Sequence, residues 1–153
     1  MRSDYLNSNS SVGNFDLKIK KVTADITLTD ADSGSIIMVN PTATTEVDLP
    51  ALSSISSGWN CKIVLTEDTD GADAGMGQKV NIDFGSGNDV VGLIGDAVDG
   101  GVGQHAVDND DYIACTANAS AGDMFDIFTD GARWYVHGLS KDASETPFAS
   151  AAG

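Results

Sequence analysis

The side chains able to do chemistry in this sequence are mostly carboxylates. Of its 23 acidic residues 20 are aspartates, set against 8 Lys+Arg and 2 His. The densest stretch runs from Glu67 to Asp111, with 11 acids, a single base (Lys79) and 10 of the 17 glycines. It holds two clusters, Asp68, Asp70 and Asp73 in EDTDGADAG and Asp108, Asp110 and Asp111 in DNDD. Carboxylates so grouped suit Ca²⁺, which takes six to eight oxygen ligands. The order departs from an EF-hand loop, because the glycine directly follows the second Asp and Lys79 stands where the closing Glu would be. Asp/Gly-rich segments also serve β-proteins simply as solvated turns. No metal ligand set is assigned from sequence.

Catalytic arrangements are missing for local reasons. The serine elbow G-x-S-x-G and the phosphate loop G-x-x-x-x-G-K-[ST] do not occur. His105 sits in a glycine-rich segment and His137 near the end of an aromatic run, neither spaced to a nucleophile. Carboxylate pairs are too numerous to single out an acid and a base. The expectation is a protein that is not an enzyme, with no catalytic residues and no cofactor. Cys61 and Cys115 lie in apolar alternating runs, WNCKIVL and YIACT, as small core residues do. A bridge between neighbouring strands remains open, whereas C-x-x-C metal spacing is absent.

One run concentrates large side chains. In ARWYVHG on a strand, Trp134 and Val136 share one face and Arg133, Tyr135 and His137 the other. With Trp134 in the core, the second set forms an outward strip suited to a neighbouring subunit or a sugar. A plain solvated face is the alternative.

The elements that must position these residues are short strands. The period-two runs are FDLKIKKV, ADITLT, SIIMVN, TEVDLP, WNCKIVLTED, QKVNIDFG, NDVVGLIG, DDYIACT, DMFDIFTDG and ARWYVHGL, separated by turn residues. ALSSISSG, closed by Gly58, is the one segment predicted to form a short helix. About nine or ten such strands predict an all-β single compact β-sandwich or β-barrel, jelly-roll-like, rather than an α/β fold. No internal repeat aligns, which argues against a solenoid or propeller. The 153 residues make one domain, able to bury roughly 68–70% of the extended chain's surface.

Charge divides the chain. The net of −15 resolves into +2 over residues 1–21 and −17 over the rest. This predicts a flexible, mildly basic N-terminal arm (1–21), an acidic β domain (22–140) and an exposed C-terminal tail (141–153) on which Phe148 is a possible anchor. Such acidity excludes a nucleic-acid partner, which needs a basic footprint. No run of about 18 apolar residues and no apolar leader core occurs, so no membrane association is expected.

The sequence resembles a pattern of tailed-phage structural proteins, which opens I-T-L-x-x-x-D-S-G, continues V-x-L-P, and closes G-D-x-x-x-x-x-(S/T)-D-G-x-x-W-x-V-x-G. The matching positions are Ile26, Thr27, Leu28, Asp32, Ser33, Gly34, Val47, Leu49, Pro50, Gly122, Asp123, Asp130, Gly131, Trp134, Val136 and Gly138. The resemblance implies a small β-rich virion module: a capsid decoration (cement) protein on the outer capsid surface, trimeric, with the major capsid protein as partner. The expected capsid contacts are the arm residues Phe15, Leu17, Lys18, Ile19, Lys20 and Lys21. The alternative is a head- or tail-fibre module for host receptor or carbohydrate recognition, using Trp59 or the Tyr135/His137 strip.

Overall fold

Alternation of apolar and polar residues makes each strand two-faced, and two sheets bury their apolar faces on each other. The computed structural model describes residues 18–66, 76–88, 90–98, 101–107 and 110–150. These form twelve strands: β1 (Lys18–Val22), β2 (Ile26–Thr27), β3 (Ser35–Val39), β4 (Thr45–Asp48), β5 (Asn60–Leu65), β6 (Val80–Asp83), β7 (Val90–Asp96), β8 (Gln104–His105), β9 (Tyr112–Cys115), β10 (Met124–Thr129), β11 (Trp134–Ser140) and β12 (Phe148–Ala149). A seven-stranded sheet runs β1-β3-β5-β10-β11-β7-β8, and a five-stranded sheet runs β12-β9-β6-β4-β2. The result is the all-β sandwich expected, with no closed barrel among the described residues.

Its connectivity is not the antiparallel one of a jelly roll. The first six strands alternate between the sheets, so that β1, β3 and β5 pair in parallel in one, and β2, β4 and β6 in the other. Parallel neighbours need a crossover, usually a helix. Here each crossover includes a strand of the opposite sheet. Lys18 pairs with Ser35 and Ser35 with Cys61, while Ile26 pairs with Val47 and Thr45 with Val80. These steps differ in length, so the winding leaves no fixed period in the sequence. The remaining pairs are mixed: β10 is inserted antiparallel between β5 and β11, β11 lies parallel to β7, and β9 is antiparallel to both β6 and β12.

Two sequence expectations are corrected. ALSSISSG makes only a single 3-10 turn, Leu52–Ser54, and Ile55 is already extended. Its serines compete with the helix for backbone hydrogen bonds, as Ser54 Oγ does by donating to the Ala51 carbonyl at 2.7 Å. The described part of the C-terminal tail is not an exposed extension. Ala143 and Thr146 are buried, a 3-10 turn spans Ala143–Glu145, and β12 pairs with β9 and packs Phe148 against the chain's own core. At the other end, the last residues of the expected arm, Lys18 to Lys21, are edge strand.

The core is filled by the inward residues of both sheets, among them Ile37, Ile63, Phe125 and Ile94 from the larger and Val47, Ile82 and Ile113 from the smaller. Trp134 meets Trp59 edge to face at 5.5 Å and Phe84 at 6.3 Å. Cys61 and Cys115 are buried free thiols, one in each sheet, and burial pushes the Cys61 thiol up to about 12. Positive φ makes glycine the fitting residue at Gly34 (φ 76°) in the DSG turn and at Gly131 (φ 92°) in the TDG hairpin turn. Gly138 is required by space. A Cβ there would lie 2.9 Å from both Ile94 Cγ1 and Phe125 Cδ1. Gly138→Ala is expected to destabilise the fold by about 1–3 kcal/mol through overpacking, read as a lower urea midpoint at unchanged slope.

Candidate functional site

The two outer faces of the sandwich differ in chemistry, and the difference follows from which residue types occupy the outward positions. On the smaller sheet these are Thr27, Glu46, Asp48, Asn81, Asp83, Tyr112 and Ala114. Glu46, Asp48 and Asp83 bring carboxylate oxygens within 4.8 Å of one another, the arrangement among the described residues that a divalent cation would fit. Asp48 also accepts a hydrogen bond from Thr27 Oγ1 at 2.9 Å. Desolvation, with repulsion from Asp48, Asp83 and Asp25, raises the Glu46 carboxyl above its ordinary value. Desolvation and the nearby Asp83 and Glu46 likewise raise the Tyr112 phenol. Sequence pointed to other acids. Asp68, Asp70, Asp73 and Asp108 lie outside the described residues, while Asp110 and Asp111 accept backbone amides of Val107 and Gly87 and so brace turns. The Glu46/Asp48 alternation was visible in TEVDLP, but its meeting with Asp83 depends on the parallel β4–β6 pairing.

A folded-state carboxyl raised in this way binds its proton more readily than the unfolded chain does, so its ionisation at neutral pH opposes folding. Glu46→Gln is therefore expected to raise Tm at pH 7. The gain should shrink as pH falls through the raised value towards about 4, where wild-type Glu46 is itself protonated. Thermal melts of both proteins across that range check the sign.

The outer face of the larger sheet is mostly apolar. Register places three rows across it. The central row is Ile19, Ile36, Lys62, Asp126, His137, Leu93 and His105. On one side lie Lys21, Met38, Val64, Met124 and Leu139, and on the other Asn60, Phe128, Tyr135 and Val91. Ile19, Val91, Leu93, Phe128 and Leu139 are each 44–56% exposed, unusual for large apolar side chains that are neighbours on one surface. Asp126 is the one acid in these rows, and it pairs with Lys62 at 2.8 Å. Phe128 and Tyr135 stack at 5.2 Å. Tyr135 Oη donates to Asp130 Oδ2 at 2.9 Å, which raises the phenol. Backbone amides of Ala132 and Arg133, together with that phenol, hold the Asp130 carboxyl below the usual range. Beside Gly34, which adds no side chain, a shallow depression of about 520 Å³ opens along Asn60, Lys62, Asp126 and Phe128.

The outward strip read from ARWYVHG is thus found as drawn for Tyr135 and His137, with Arg133 exposed in the turn preceding β11. What sequence reading missed is the breadth of the surface around it. That signal lay in the outward positions of SIIMVN, WNCKIVL and DMFDIFT, where Ile36, Met38, Val64, Met124 and Phe128 stand beside Asn60, Lys62 and Asp126. Trp59 takes no part: it is buried, and its Nε1 donates to the Thr29 carbonyl at 3.1 Å.

The arm residues divide. Phe15 and Leu17 lie outside the described residues. Lys18 Nζ donates to the Ser33 carbonyl at 3.3 Å, and Lys20 pairs with Asp32 at 2.8 Å, both on the inward side of β1. Desolvation of Asp32 is outweighed by Lys20 and by the Thr29 amide and hydroxyl, which hold its carboxyl low. Ile19 and Lys21 point outward and join the apolar face.

Fold and surface together define a mixed-sheet β-sandwich with one acidic and one apolar outer face. Comparison with protein families, curated proteins and solved structures finds no match to this chain.

Proposed function

We propose that this chain is a non-enzymatic capsid decoration protein of a tailed phage, which binds the outer surface of the icosahedral head through the major capsid protein and stiffens it. The observation that carries the reading is the contrast between the two faces. An acidic face suits exposure to solvent, where like charge keeps particles apart. An apolar, nearly neutral face suits burial against protein, and it continues into edge strand β1, which itself carries Lys18, Lys20 and Lys21. Contacts spanning several capsid subunits would raise the barrier to separating them, and linked copies would gain by effective concentration. The test is co-sedimentation with expanded heads lacking the protein. Because β1 begins at Lys18, deletion of residues 1–17 spares the described sheet. It is expected to weaken capsid binding at least tenfold (about 1.4 kcal/mol) with Tm unchanged. Full affinity in the truncated chain removes residues 1–17, with Phe15 and Leu17, from the contact and leaves Lys18 to Lys21 to be tested by substitution.

A second reading, a fibre module for receptor or carbohydrate recognition, is favoured by the stacked Phe128/Tyr135 pair and the adjoining depression with its Asn60, Lys62 and Asp126 polar groups. Copy number separates the two, since decoration requires hundreds of copies per particle and a fibre a handful. Glycan binding abolished by Tyr135→Ala would support the fibre.

A further inference from the structure

The apolar outer face of the seven-stranded sheet is larger than a monomer needs to leave open. Six strands at about 4.8 Å spacing and three rows about 6.8 Å apart give roughly 600 Å². That area, shared by apolar and polar residues, is about three-quarters of one partner's share of a standard interface. Its charge is the second consideration. The chain carries −15, so most of its surface repels another copy. These rows carry Asp126 against Lys21 and Lys62, which makes them the region where two copies meet without stacking like charges.

The sheet edges point the same way. β2, β8 and β12 are two residues long, and β1 turns Lys18 and Lys20 inward. Short edges and inward charges are how β-proteins block strand addition. Copies are thus discouraged from joining edge to edge and are left with the face.

The face is also complementary to itself. A line along the strands between β5 and β10 divides it into a basic half, with Lys21, Lys62, Ile19, Ile36, Met38 and Val64, and a half holding Asp126, Leu93, Met124, Leu139 and the Phe128/Tyr135 stack. A closed symmetric arrangement whose axis runs parallel to the strands along this line sets the first half of one copy on the second half of another. At each row level, residues equally far from the line then oppose one another: Lys62 meets Asp126, Val64 meets Met124, Met38 meets Leu139, and Ile19 meets Leu93.

We infer that this face is the surface by which copies of the chain associate, with Lys62 of one copy opposite Asp126 of the next. The inference stands on the face alone; with the face covered by other copies, the capsid contact proposed above falls to edge strand β1 and the residues before it. Sedimentation velocity of the full chain at micromolar concentration is expected to show a closed oligomer. Adding salt should strengthen association, since it screens the net repulsion. Leu93→Lys and Leu139→Lys alter half-exposed side chains, so folding should survive. Each is expected to weaken association at least tenfold, whereas Tyr112→Phe on the opposite face, which alters no charge, leaves it unchanged. A charge exchange gives a second, independent readout. Lys62→Glu and Asp126→Lys should each associate poorly alone and recover when mixed, because each then meets the opposite charge on the other. A monomeric wild type, an oligomer indifferent to both lysine substitutions, or no recovery on mixing would overturn the inference. A monomer would leave capsid binding still open to direct measurement.

Discussion

Asp123→Ala is expected to cost about 3–5 kcal/mol, one of the two largest losses available from a single substitution in this chain. Asp123 is 3% exposed. Its Oδ2 accepts from the Ser120 amide at 2.9 Å and from Ser140 Oγ at 3.0 Å, and its Oδ1 accepts from the Lys141 amide at 2.7 Å. Its own backbone carbonyl accepts from the Leu65 amide at 2.9 Å. One residue thereby ties the turn entering β10 to the end of β11, where the chain leaves the larger sheet for the smaller. Alanine keeps the backbone bond but takes the carboxylate away from the part-buried Ser120 and Lys141 amides, while Ser140 Oγ keeps the Asp142 carbonyl at 2.9 Å. Asn offers one acceptor oxygen in place of two and turns an amide NH₂ towards a donor, so its loss should be intermediate, about 1–3 kcal/mol. Urea denaturation reads both, as lower midpoints with unchanged slope. For a chain of this size the alanine loss corresponds to a fall in Tm of roughly 6–20 °C. A loss below about 1 kcal/mol would show that the two amides find other acceptors at little cost.

Trp134→Ala should be comparable, at about 3–5 kcal/mol, and for a different reason. The indole is fully buried and is the member common to both close aromatic pairs of the core, with Trp59 ahead of β5 and with Phe84 following β6. Truncation opens a large cavity between the sheets and removes edge contacts worth about 0.5–1.5 kcal/mol per pair. Phenylalanine makes the comparison informative. Trp134 Nε1 has no hydrogen-bond partner among the described residues, so Trp134→Phe relieves a buried polar group while giving up part of the ring. Its cost should fall well below that of alanine. Near-UV circular dichroism, where the coupled Trp59/Trp134 pair contributes, checks that the packing and not the fold as a whole has changed. Equal losses for alanine and phenylalanine would mean that the outer ring of the indole carries the packing.

Both predictions sit on residues of the closing motif G-D…D-G-x-x-W-x-V-x-G, and the structure supplies its physical content. Asp123 staples, Gly131 turns, Trp134 and Val136 fill the core, and Gly138 leaves room for Ile94 and Phe125. The facing of this strand was legible from alternation alone, since a period of two leaves only one way to bury Trp134. So was the turn chemistry at DSG and TDG. The helix expected over ALSSISSG was not: its glycine stop was real, with Gly58 at φ 89°, but a stop signal does not show that a helix precedes it. The tail was misread because small residues such as Ala143 and Thr146 look exposable in sequence, whereas here they are buried at the 3-10 turn, where the Ala143 amide donates to Asp96 Oδ2 at 3.0 Å before β12 pairs with β9.

What the sequence determined by itself is the set of local decisions: all-β composition, strand facing, turn positions, the two buried cysteines, and a charge imbalance that no pairing in the fold can remove. Those depend on neighbours one or two residues apart. The surface that matters was decided only by the tertiary structure. Alternating the first six strands between two sheets sets β1, β3 and β5 side by side, and inserting β10 beside β5 joins them to β11 and β7. Ile19, Met38, Val64, Phe128 and Leu139 each look like an incidental exposed apolar residue along the chain. They become one face because hydrogen-bonded register, which carries no sequence period here, places them in adjacent rows, while the same winding gathers Glu46, Asp48 and Asp83 on the other side.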